Sequence, residues 1–324
     1  MCKIIGIDIS KQTFDVSFRE EEKLVHQIYS NNLKGFKKFV KEIDISSLVV
    51  MEASGPYYVS LASYLYDADI KLSVVNPLKV KRFSQMKFYR AKTDKKDAGI
   101  IMEYGELEQD SLSLWKPETK GVQSLKQMRT TTELLQKQLR QSKNQLSAFK
   151  SSGSLNKEVA KGLKKVINIT EKSIKDLEYQ MLNVCKEYYG ESLSLLTSIP
   201  SIGNKTAMML IAITDDFSKF EHHKQLIAYV GFAPRVYQSG TSVKGKGHIC
   251  KMGKSQIRKL LYMCSWTAKY CNKTCSEMYE RLKNKGKPER VIKVAIANKL
   301  LKQAFAVATS KQKYIENYQP NICF

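Results

Sequence analysis

The chain has 324 residues, of which 54 are lysine or arginine and 31 are aspartate or glutamate, so its formal net charge is +23. Such an excess of positive charge favours a polyanionic partner, either nucleic acid or a membrane surface. Hydrophobic residues form 43% of the chain, which is enough for packed cores and excludes a disordered basic tail. No apolar run reaches the roughly 20 residues of a bilayer span, so a membrane-spanning protein is not expected.

The N-terminus and the cysteines indicate a cytoplasmic protein. The first eight residues include an acid and lack the regions of a signal peptide. The seven cysteines are an odd number without the spacing of a disulfide framework, which is typical of reduced thiols. The length predicts about two domains, with room for a connecting element.

Residues 1–110 follow the pattern of an α/β domain. Alternating and β-rich runs predict three strands at the start, after which helices and strands alternate. The predicted strands are residues 3–10, 13–19, 23–29, 47–52 and 71–75, and the predicted helices are residues 33–43, 56–66 and 94–108. This order predicts an RNase H-like (RuvC-like) domain.

Residues 111–190 change to a heptad pattern. Apolar or small residues follow a 3,4 spacing from Leu125 to Phe149 and again from Leu163 to Tyr188. The segment 151–154, Ser-Ser-Gly-Ser, lies between the two repeats and is able to turn the chain. The pattern predicts a helical coiled-coil hairpin for oligomerisation or nucleic-acid contact. Its arms pair either within one chain or between subunits, and the spacing fits both.

Residues 191–324 are predicted to form a mostly helical domain, so the expected fold class is α/β plus all-α. One segment is irregular, the glycine-rich stretch of residues 234–253, which we call the basic loop. Ile199 to Gly203 followed by a helix from Lys205 fits a helix-hairpin-helix, whose free amides bind phosphate, and fits a plain helical connection equally well.

The positive charge is concentrated in the second and third of these regions. Residues 1–110 have a net charge of +1, residues 111–190 of +8 and residues 191–324 of +14. Between Glu221 and Glu277 there are ten basic residues and no acidic one. We therefore expect the hairpin and the C-terminal domain to hold nucleic acid.

Four carboxylates in the first region are candidates for a metal site. Asp8 lies at the centre of the first predicted strand, Glu52 ends the fourth, and Asp94 and Asp97 share one face of the last helix. The first and fourth strands of an RNase H-like sheet are neighbours, so these side chains are expected to converge. Converging carboxylates repel one another unless a hard divalent cation, such as Mg²⁺ or Mn²⁺, joins them. Each acid taken singly also has a structural interpretation, as a hydrogen-bonded strand residue or a helix N-cap.

A cationic rim precedes the last two carboxylates. Between Asp69 and Asp94 the chain has seven basic residues and no acid. Phosphates bound by this rim would be delivered to the carboxylates. The nucleic-acid contacts predicted from the rim are Lys79, Lys81, Arg82, Arg90 and Lys92.

Short motifs along nearly the whole chain are weak singly and very specific together. They are Gly-Ile-Asp-Ile-Ser-Lys (6–11) with Asp15-Val16, Glu-Ala-Ser-Gly-Pro-Tyr (52–57), Val-Asn-Pro (75–77), Lys-Thr-Asp-Lys-Lys-Asp-Ala (92–98), Ile-Pro-Ser-Ile-Gly (199–203), Gly-Phe-Ala-Pro (231–234), Gln-Ser-Gly-Thr-Ser-Val-Lys-Gly-Lys-Gly (238–247) and Lys-Met-Gly (251–253) with Arg258. Together they resemble the DEDD transposases of the IS-one-ten family of insertion sequences, which are relatives of the Piv DNA invertase.

The resemblance implies a role for each candidate residue. Asp8, Glu52, Asp94 and Asp97 become the metal-binding tetrad of the RuvC-like domain, and Ser239 becomes the nucleophile of the C-terminal transposase domain. It further implies a cut-and-join recombinase acting on donor and target DNA as homodimers that assemble into a tetramer, in which the RuvC-like site of one subunit meets the serine domain of another. A structured non-coding RNA from the element's flank is the expected guide. The expected location is the prokaryotic cytoplasm, in association with the nucleoid.

The residues alone do not single out Ser239, which is equally a polar turn residue, and Ser242 is an equal candidate. A serine hydroxyl is a weak nucleophile until a base, a metal or a cationic field activates it. Cations that follow Ser239 without a counter-acid would stabilise the negative charge that develops at phosphorus. The contacts predicted in this region are Lys244, Lys246, Lys251, Lys254 and Arg258.

The leading hypothesis is therefore an RNA-guided, serine-dependent DNA transposase with Mg²⁺ at the four carboxylates. A second hypothesis is a structure-specific nuclease of the Holliday-junction type that uses the carboxylates alone. A third is a non-catalytic nucleic-acid scaffold in which the acids are structural. Dependence on Ser239 separates the first hypothesis from the second, and dependence on a metal separates both from the third.

Overall fold

The computed structural model describes residues 3–21, 23–53, 55–89, 93–235 and 247–316, and the backbone alone of 238–239 and 243–244. The chain divides into two compact units, Met1–Pro117 and Glu118–Phe324. The finer division of the second unit at residue 190 stays a prediction. The predicted contacts Arg90, Lys92 and Lys246 lie outside the described residues, as do the side chains of Ser239 and Lys244.

The first unit is built around a five-stranded sheet. Its strands are β1 (Ile4–Ile9), β2 (Thr13–Glu20), β3 (Lys23–Ser30), β4 (Leu48–Glu52) and β5 (Lys71–Val75). They lie in the order β3-β2-β1-β4-β5, in which β2 is antiparallel to both its neighbours and β1, β4 and β5 are parallel. The first and fourth strands are neighbours, as the sequence predicts, and the mixed topology is consistent with an RNase H-like domain.

Helices cover both faces of this sheet. They are α1 (Leu33–Glu42), α2 (Tyr58–Asp67), α3 (Pro77–Met86) and α4 (Asp94–Leu107), followed by a short 3-10 helix, Gln109–Ser111. Ile7 and Met51 belong to the core that includes α1 and α2, whereas Ile4 and Val50 belong to the core that includes α3 and α4. Because side chains alternate along a strand, the even-numbered residues of β1 and β4 all lie on the α4 face.

Helix α3 was not predicted, since its segment was interpreted only as a cationic rim. Asn76 caps the helix by accepting a hydrogen bond from Leu78 N at 2.9 Å, and Pro77 occupies the first position. An asparagine followed by proline is a typical start signal for a helix. Val80 and Phe83 are buried against the sheet side of α3. Lys79, Lys81 and Arg82 of the rim therefore lie on the outer side of a helix.

Helix α4 approaches β1 closely at Gly6. A Cβ atom at Gly6 would lie 2.3 Å from both Ala98 O and Met102 N, which are backbone atoms of α4. A Cβ atom at Gly105, further along α4, would lie 2.8 Å from side chains of both β1 and β4. Side chains larger than glycine would push the helix away from the sheet. These two glycines therefore fix the position of α4 directly over β1.

The second unit is mostly helical. Its helices are α5 (Lys120–Ser151), α6 (Lys157–Thr197), α7 (Asn204–Thr214), α8 (His223–Val230), α9 (Ser255–Cys271), α10 (Lys273–Asn284) and α11 (Glu289–Ser310). All seven contribute buried residues to one hydrophobic core. No helix in the described part of either unit is both long and apolar enough to cross a membrane.

The two longest helices, α5 and α6, pack against each other within the chain. The heptad positions Leu146, Ile167 and Ile174 are buried, whereas Phe149 and Tyr188, at the ends of the two repeats, are exposed. The seam is thus buried or half-buried along its length and exposed where each repeat ends. That the pair forms a coiled coil and joins subunits stays a prediction.

We expect Gly6→Ala to destabilise the first unit, because the added methyl group would meet backbone atoms that cannot move aside. Overpacking of this kind costs about 3 kcal/mol, a large share of a domain's stability. Urea denaturation followed by circular dichroism measures the change in the free energy of unfolding.

Gly162→Ala on α6 is the matched control for this substitution. No atom lies within 4 Å of the position of its Cβ, so alanine is expected to stabilise the helix by up to about 1 kcal/mol. If the two substitutions change the free energy of unfolding equally, Gly6 does not have the packing role assigned to it.

Candidate active site

Three elements bring the four predicted carboxylates to the same face of the sheet. Asp8 on β1 and Glu52 at the end of β4 lie on the face that α4 covers. Helix α4 lies over Gly6, two residues before Asp8, and its first turn contains Asp94 and Asp97. Asp94 is exposed and the other three are half-buried. The predicted grouping of these residues is therefore present in the fold.

The first turn of α4 is fixed by a cap. Thr93 has an extended backbone, and its Oγ1 accepts a hydrogen bond from Lys96 N at 3.3 Å. Acidic side chains in a first turn are stabilised by the free amides of the helix, by about 0.3–1 kcal/mol each. This stabilisation offsets part of the repulsion that Asp94 and Asp97 meet from the acids of the sheet.

The charges of the grouped carboxylates act on Asp8. Burial is the largest cause that raises the pKa of Asp8, and the negative charges of Asp97, Asp94, Glu52 and Asp15 follow; together they bring it to about 6. The ionised form of Asp8 is thus disfavoured by neighbours from β2, β4 and α4 at once. Such a site attracts a cation.

The four carboxylates do not form a finished ligand cage. Within the described ranges, no three His, Cys, Asp or Glu side chains are placed to hold one metal ion. The donor chemistry nevertheless fits Mg²⁺, since carboxylate oxygens are its preferred protein ligands and a divalent cation would remove the repulsion at Asp8. Metal binding by these residues stays a prediction. Their carboxylate oxygens are the kind of donor that Mg²⁺ prefers.

A fifth acid, Asp15, adjoins the site, although we predicted no role for it beyond its place in a motif. Asp15 is buried and pairs directly with Asp8 in the β1–β2 register. Its Oδ1 lies 2.8 Å from Nε2 of His26 on β3. A sequence signal existed, because Asp8 and Asp15 are equally far from the centre of the predicted turn, which places them opposite each other in a hairpin. The histidine fixes the orientation of the Asp15 carboxylate beside Asp8.

The described part of the cationic rim lies on α3. Lys79, Lys81 and Arg82 are all exposed, and Arg82 Nη1 donates a hydrogen bond to Gln85 Oε1 at 2.9 Å. Helices α3 and α4 pack on the same face of the sheet. The three basic residues are therefore accessible to a phosphate backbone that approaches the carboxylate side of the sheet. Their contact with nucleic acid stays a prediction.

In the second unit, the basic loop contains two short antiparallel ladders and is not irregular throughout. Strand β6 (Pro234–Arg235) pairs with β9 (His248–Ile249), and β7 (Gln238–Ser239) pairs with β8 (Val243–Lys244). Ser239 lies opposite Val243 in this register. Two-residue ladders are too short for alternation to reveal them in a sequence. The backbone of Ser239 therefore lies in a hairpin-like arrangement.

Both ends of the basic loop are fastened to the C-terminal end of α8. Gly231 and Gly253 have φ angles of +86° and +120°, and a Cβ atom at these positions would lie 2.2 and 2.1 Å from a backbone oxygen. Arg258 Nη1 donates a hydrogen bond of 2.6 Å to Val230 O. The motif Lys-Met-Gly with Arg258 thus has a structural role at the base of the loop. The predicted contact of Arg258 with nucleic acid concerns the other donors of its guanidinium group and stays a prediction.

Lys254 belongs to a cluster of cations at this base. Partial burial of its ammonium, and after it the charges of Arg129, Lys126 and Lys219, lower the pKa of Lys254. Its Nζ also lies 5.4 Å from the centroid of the Tyr229 ring. Lys126 and Lys219 are both paired with Glu118, and Arg129 lies 3.7 Å from Glu133, so the positive charge of the cluster is partly compensated.

A cleft of about 880 Å³ opens beside the base of the basic loop. Lys251, Arg258, Lys259 and Arg290 line it, and none of the described residues that line it is acidic. Asn298 also lines the cleft, and its Oδ1 is buried without a hydrogen-bond partner among the residues described. Arg290 and Asn298 were not predicted, because α11 reaches the cleft only through tertiary packing. Lys259 on α9 was not predicted either, although it directly follows the predicted Arg258.

Comparisons with known proteins identify the class of protein to which these features belong. Residues 5–149, which contain all four carboxylates, match the DEDD transposase model of the IS110 type, and residues 193–280, which contain Ser239, match the transposase IS116/IS110/IS902 family. The pilin gene-inverting proteins of Moraxella lacunata and Moraxella bovis are each 30% identical over 319 residues, which is 96% of this chain and 97% of theirs. The transposase for insertion sequence element IS1111A of Coxiella burnetii is 33% identical over 91 residues, 28% of this chain and 24% of that protein.

These likenesses define a DNA transposase or recombinase. The chain belongs to the IS110 family of DEDD transposases, as the motifs of its sequence indicated.

We expect Asp8→Asn to raise the melting temperature of the protein in EDTA at pH 8. The substitution removes a buried negative charge that four other carboxylates repel. Because the site is half-exposed, solvent screening leaves a gain of about 1–2 kcal/mol, or about 2–6 °C by differential scanning calorimetry. Asp110→Asn, an exposed acid of the same unit, is the control and should leave the melting temperature unchanged. A lower melting temperature for Asp8→Asn would show that Asp8 is a structural acid.

Proposed function

We propose that this transposase cuts and rejoins DNA through Ser239, with Mg²⁺ held by Asp8, Glu52, Asp94 and Asp97, as a tetramer guided by an RNA from its own element. The observation that carries the proposal is the gathering of carboxylates from β1, β4 and α4 around Asp8. Acids kept only for stability are rarely placed where they repel one another. The family membership supplies the substrate class, DNA.

The carboxylates would act by holding and orienting the ion. Glu52 ends a strand and Asp94 and Asp97 begin a helix, so their backbones are fixed while their side chains are able to adjust. Mg²⁺ bound there would stabilise the negative charge that develops on a phosphate undergoing substitution. Asp15, held by His26 at 2.8 Å, would fix the orientation of the site from the neighbouring strand.

The serine would supply the covalent step. The Ser239 oxygen attacks phosphorus, its proton passes to a base, and the bond from phosphorus to the leaving sugar oxygen breaks as that oxygen takes up a proton. The resulting seryl phosphodiester keeps the bond energy, so that a hydroxyl of a second strand is able to attack it and release the serine. Cations beside the loop, such as Lys251 and Arg290, would neutralise the phosphate.

Trapping the covalent intermediate tests the nucleophile. Wild-type protein purified from cells that carry its complete locus, and incubated with Mg²⁺ and a DNA duplex carrying the junction of its element, should give a protein–DNA adduct that survives denaturing electrophoresis. Ser239→Ala should abolish the adduct because no other group replaces the hydroxyl, and Asp94→Asn should reduce it at least about 100-fold. Ser242→Ala, in the same loop, is the matched control and should retain it.

An adduct that persists in Ser239→Ala and disappears in Ser242→Ala would move the nucleophile to Ser242. Free cut ends without any adduct, in wild type and in Ser239→Ala alike, would favour the nuclease that uses the carboxylates alone. Strand exchange in EDTA would contradict the role of the metal.

The guide RNA is a separate part of the proposal, supported by the charge of +8 on residues 111–190 and by the exposed basic residues of α5 and α6. Protein purified from cells that carry its complete locus should contain one discrete RNA transcribed from the flank of the element, detected by sequencing the bound nucleic acid. Protein expressed from the coding region alone is the control. An identical population of cellular RNAs in both preparations would argue against guidance.

A further inference from the structure

A cavity of about 400 Å³ lies where α5, α6, α7 and α9 meet in the second unit. Its volume falls within the range of pockets that hold small molecules, about 300–1,000 Å³. One part of its lining is apolar and is formed by Met181, Met208, Met209 and Leu260. Methionine sulfur is polarisable and makes favourable contacts with flat aromatic rings. No function described so far uses this cavity.

The rest of the lining is strongly cationic. The acids Glu133 and Glu178 are both in ion pairs within the cavity wall, with Arg129 at 3.7 Å and with Lys205. Three further cations have no acid within ion-pair distance among the residues that the structure describes, namely Lys137, Arg140 and Lys259. The cavity therefore combines an apolar wall with an uncompensated positive charge.

Two buried polar atoms in this wall lack hydrogen-bond partners. They are Nε of Arg129 and Oε1 of Glu133, which face each other at 3.7 Å as an ion pair and are too far apart for a hydrogen bond. Buried polar atoms of proteins are nearly always hydrogen-bonded to protein, water or a ligand. A polar group of a ligand placed beside this ion pair would complete the hydrogen bonds of both atoms.

We propose that this cavity binds one unpaired nucleotide, with its phosphate on Lys137, Arg140 and Lys259 and its base against the methionines. A base offers a flat ring with donors and acceptors at its edge, which matches an apolar wall that contains two unsatisfied polar atoms. A paired base would not enter, because the pocket accommodates a single small molecule.

The position of the cavity connects it to the basic loop. Lys259 on α9 lines both the cavity and the cleft beside the base of the loop. A nucleic-acid strand that lies along the cleft would therefore pass the cavity. One of its bases would there leave the base stack and enter the cavity. The inference rests on the proposed function only because it takes the ligand to be nucleic acid. Its test measures DNA binding in EDTA and does not require strand exchange.

The probes are two fluorescein-labelled 20-base-pair DNA duplexes of the same sequence, of which one contains a single unpaired thymidine. Wild-type full-length protein should bind the bulged duplex at least about fivefold more tightly in fluorescence anisotropy, because the unpaired base adds its stacking in the cavity to the contacts that both duplexes make. The double variant Lys137→Glu with Arg140→Glu should bring the ratio of the two dissociation constants close to one. The ratio of the two dissociation constants is the readout, because a general loss of attraction for phosphate weakens the binding of both duplexes equally.

Lys150→Glu with Lys164→Glu is the matched control, since it makes the same change of charge at exposed positions of α5 and α6 outside the cavity. It should weaken both duplexes and keep the ratio. Met209→Trp fills the cavity without changing its charge and should also abolish the preference, with circular dichroism confirming that the variant is folded.

Adenosine monophosphate at millimolar concentration distinguishes a free nucleotide from a nucleotide within a strand. If adenosine monophosphate displaces the bulged duplex but not the fully paired duplex, the cavity accepts both a free nucleotide and a nucleotide within a strand. If the preference is retained and neither duplex is displaced, the cavity binds only a nucleotide within a strand. Equal binding of the two duplexes by wild type, or a preference that survives in both cavity variants, would overturn the proposal.

Discussion

The close packing of α4 on β1 at Gly6 is the contact on which the carboxylate site depends. A Cβ atom there would lie 2.3 Å from two backbone atoms of the helix, so only glycine lets α4 lie flat on the strand. This contact places the first turn of α4, with Asp94 and Asp97, over the end of β1 that contains Asp8. A helix displaced by one methyl group would carry both acids away from the strand. The glycine of the Gly-Ile-Asp motif thus acts on the chemistry through packing, two residues away from the acid itself.

The site is stable although its charges repel one another, because the repulsion is opposed locally. The Thr93 cap and the free amides of α4 stabilise the two acids of the helix, and His26 is bonded to Asp15 at 2.8 Å. The pKa of Asp8 remains raised, first by its burial and then by the charges of the four neighbouring acids. Functional sites often keep such unfavourable groupings, since the energy is recovered when a substrate or an ion binds. An ion would therefore find the carboxylates already gathered around Asp8.

The sequence predicted the elements whose residues follow a clear period and failed where tertiary contacts decide. The five strands of the sheet and α4 were found because Ile5, Ile7 and Ile9 alternate and the acids follow a capping threonine. Helix α3 was missed although Asn76 and Pro77 mark its start, because only two of its ten residues, Val80 and Phe83, are buried and so give the helix little periodicity. Arg290 and Asn298 reach the cleft by the packing of α11 beside the loop, and no local pattern encodes that approach. The grouping of four carboxylates was predictable only because the order of the strands implied that β1 and β4 are neighbours.

The two units solve opposite electrostatic problems with the same device, a backbone contact that only glycine allows. In the first unit Gly6 holds acids together that repel one another. In the second, Gly231 and Gly253 fasten both ends of the basic loop to α8, while Arg258 bonds to Val230 O at 2.6 Å and lines a cleft with three other cations. A loop with this density of positive charge would spread apart if its ends were free, and cations that spread apart lose the field that a phosphate requires. Rigid ends keep that field in place, as the proposed attack of Ser239 on a phosphate would require.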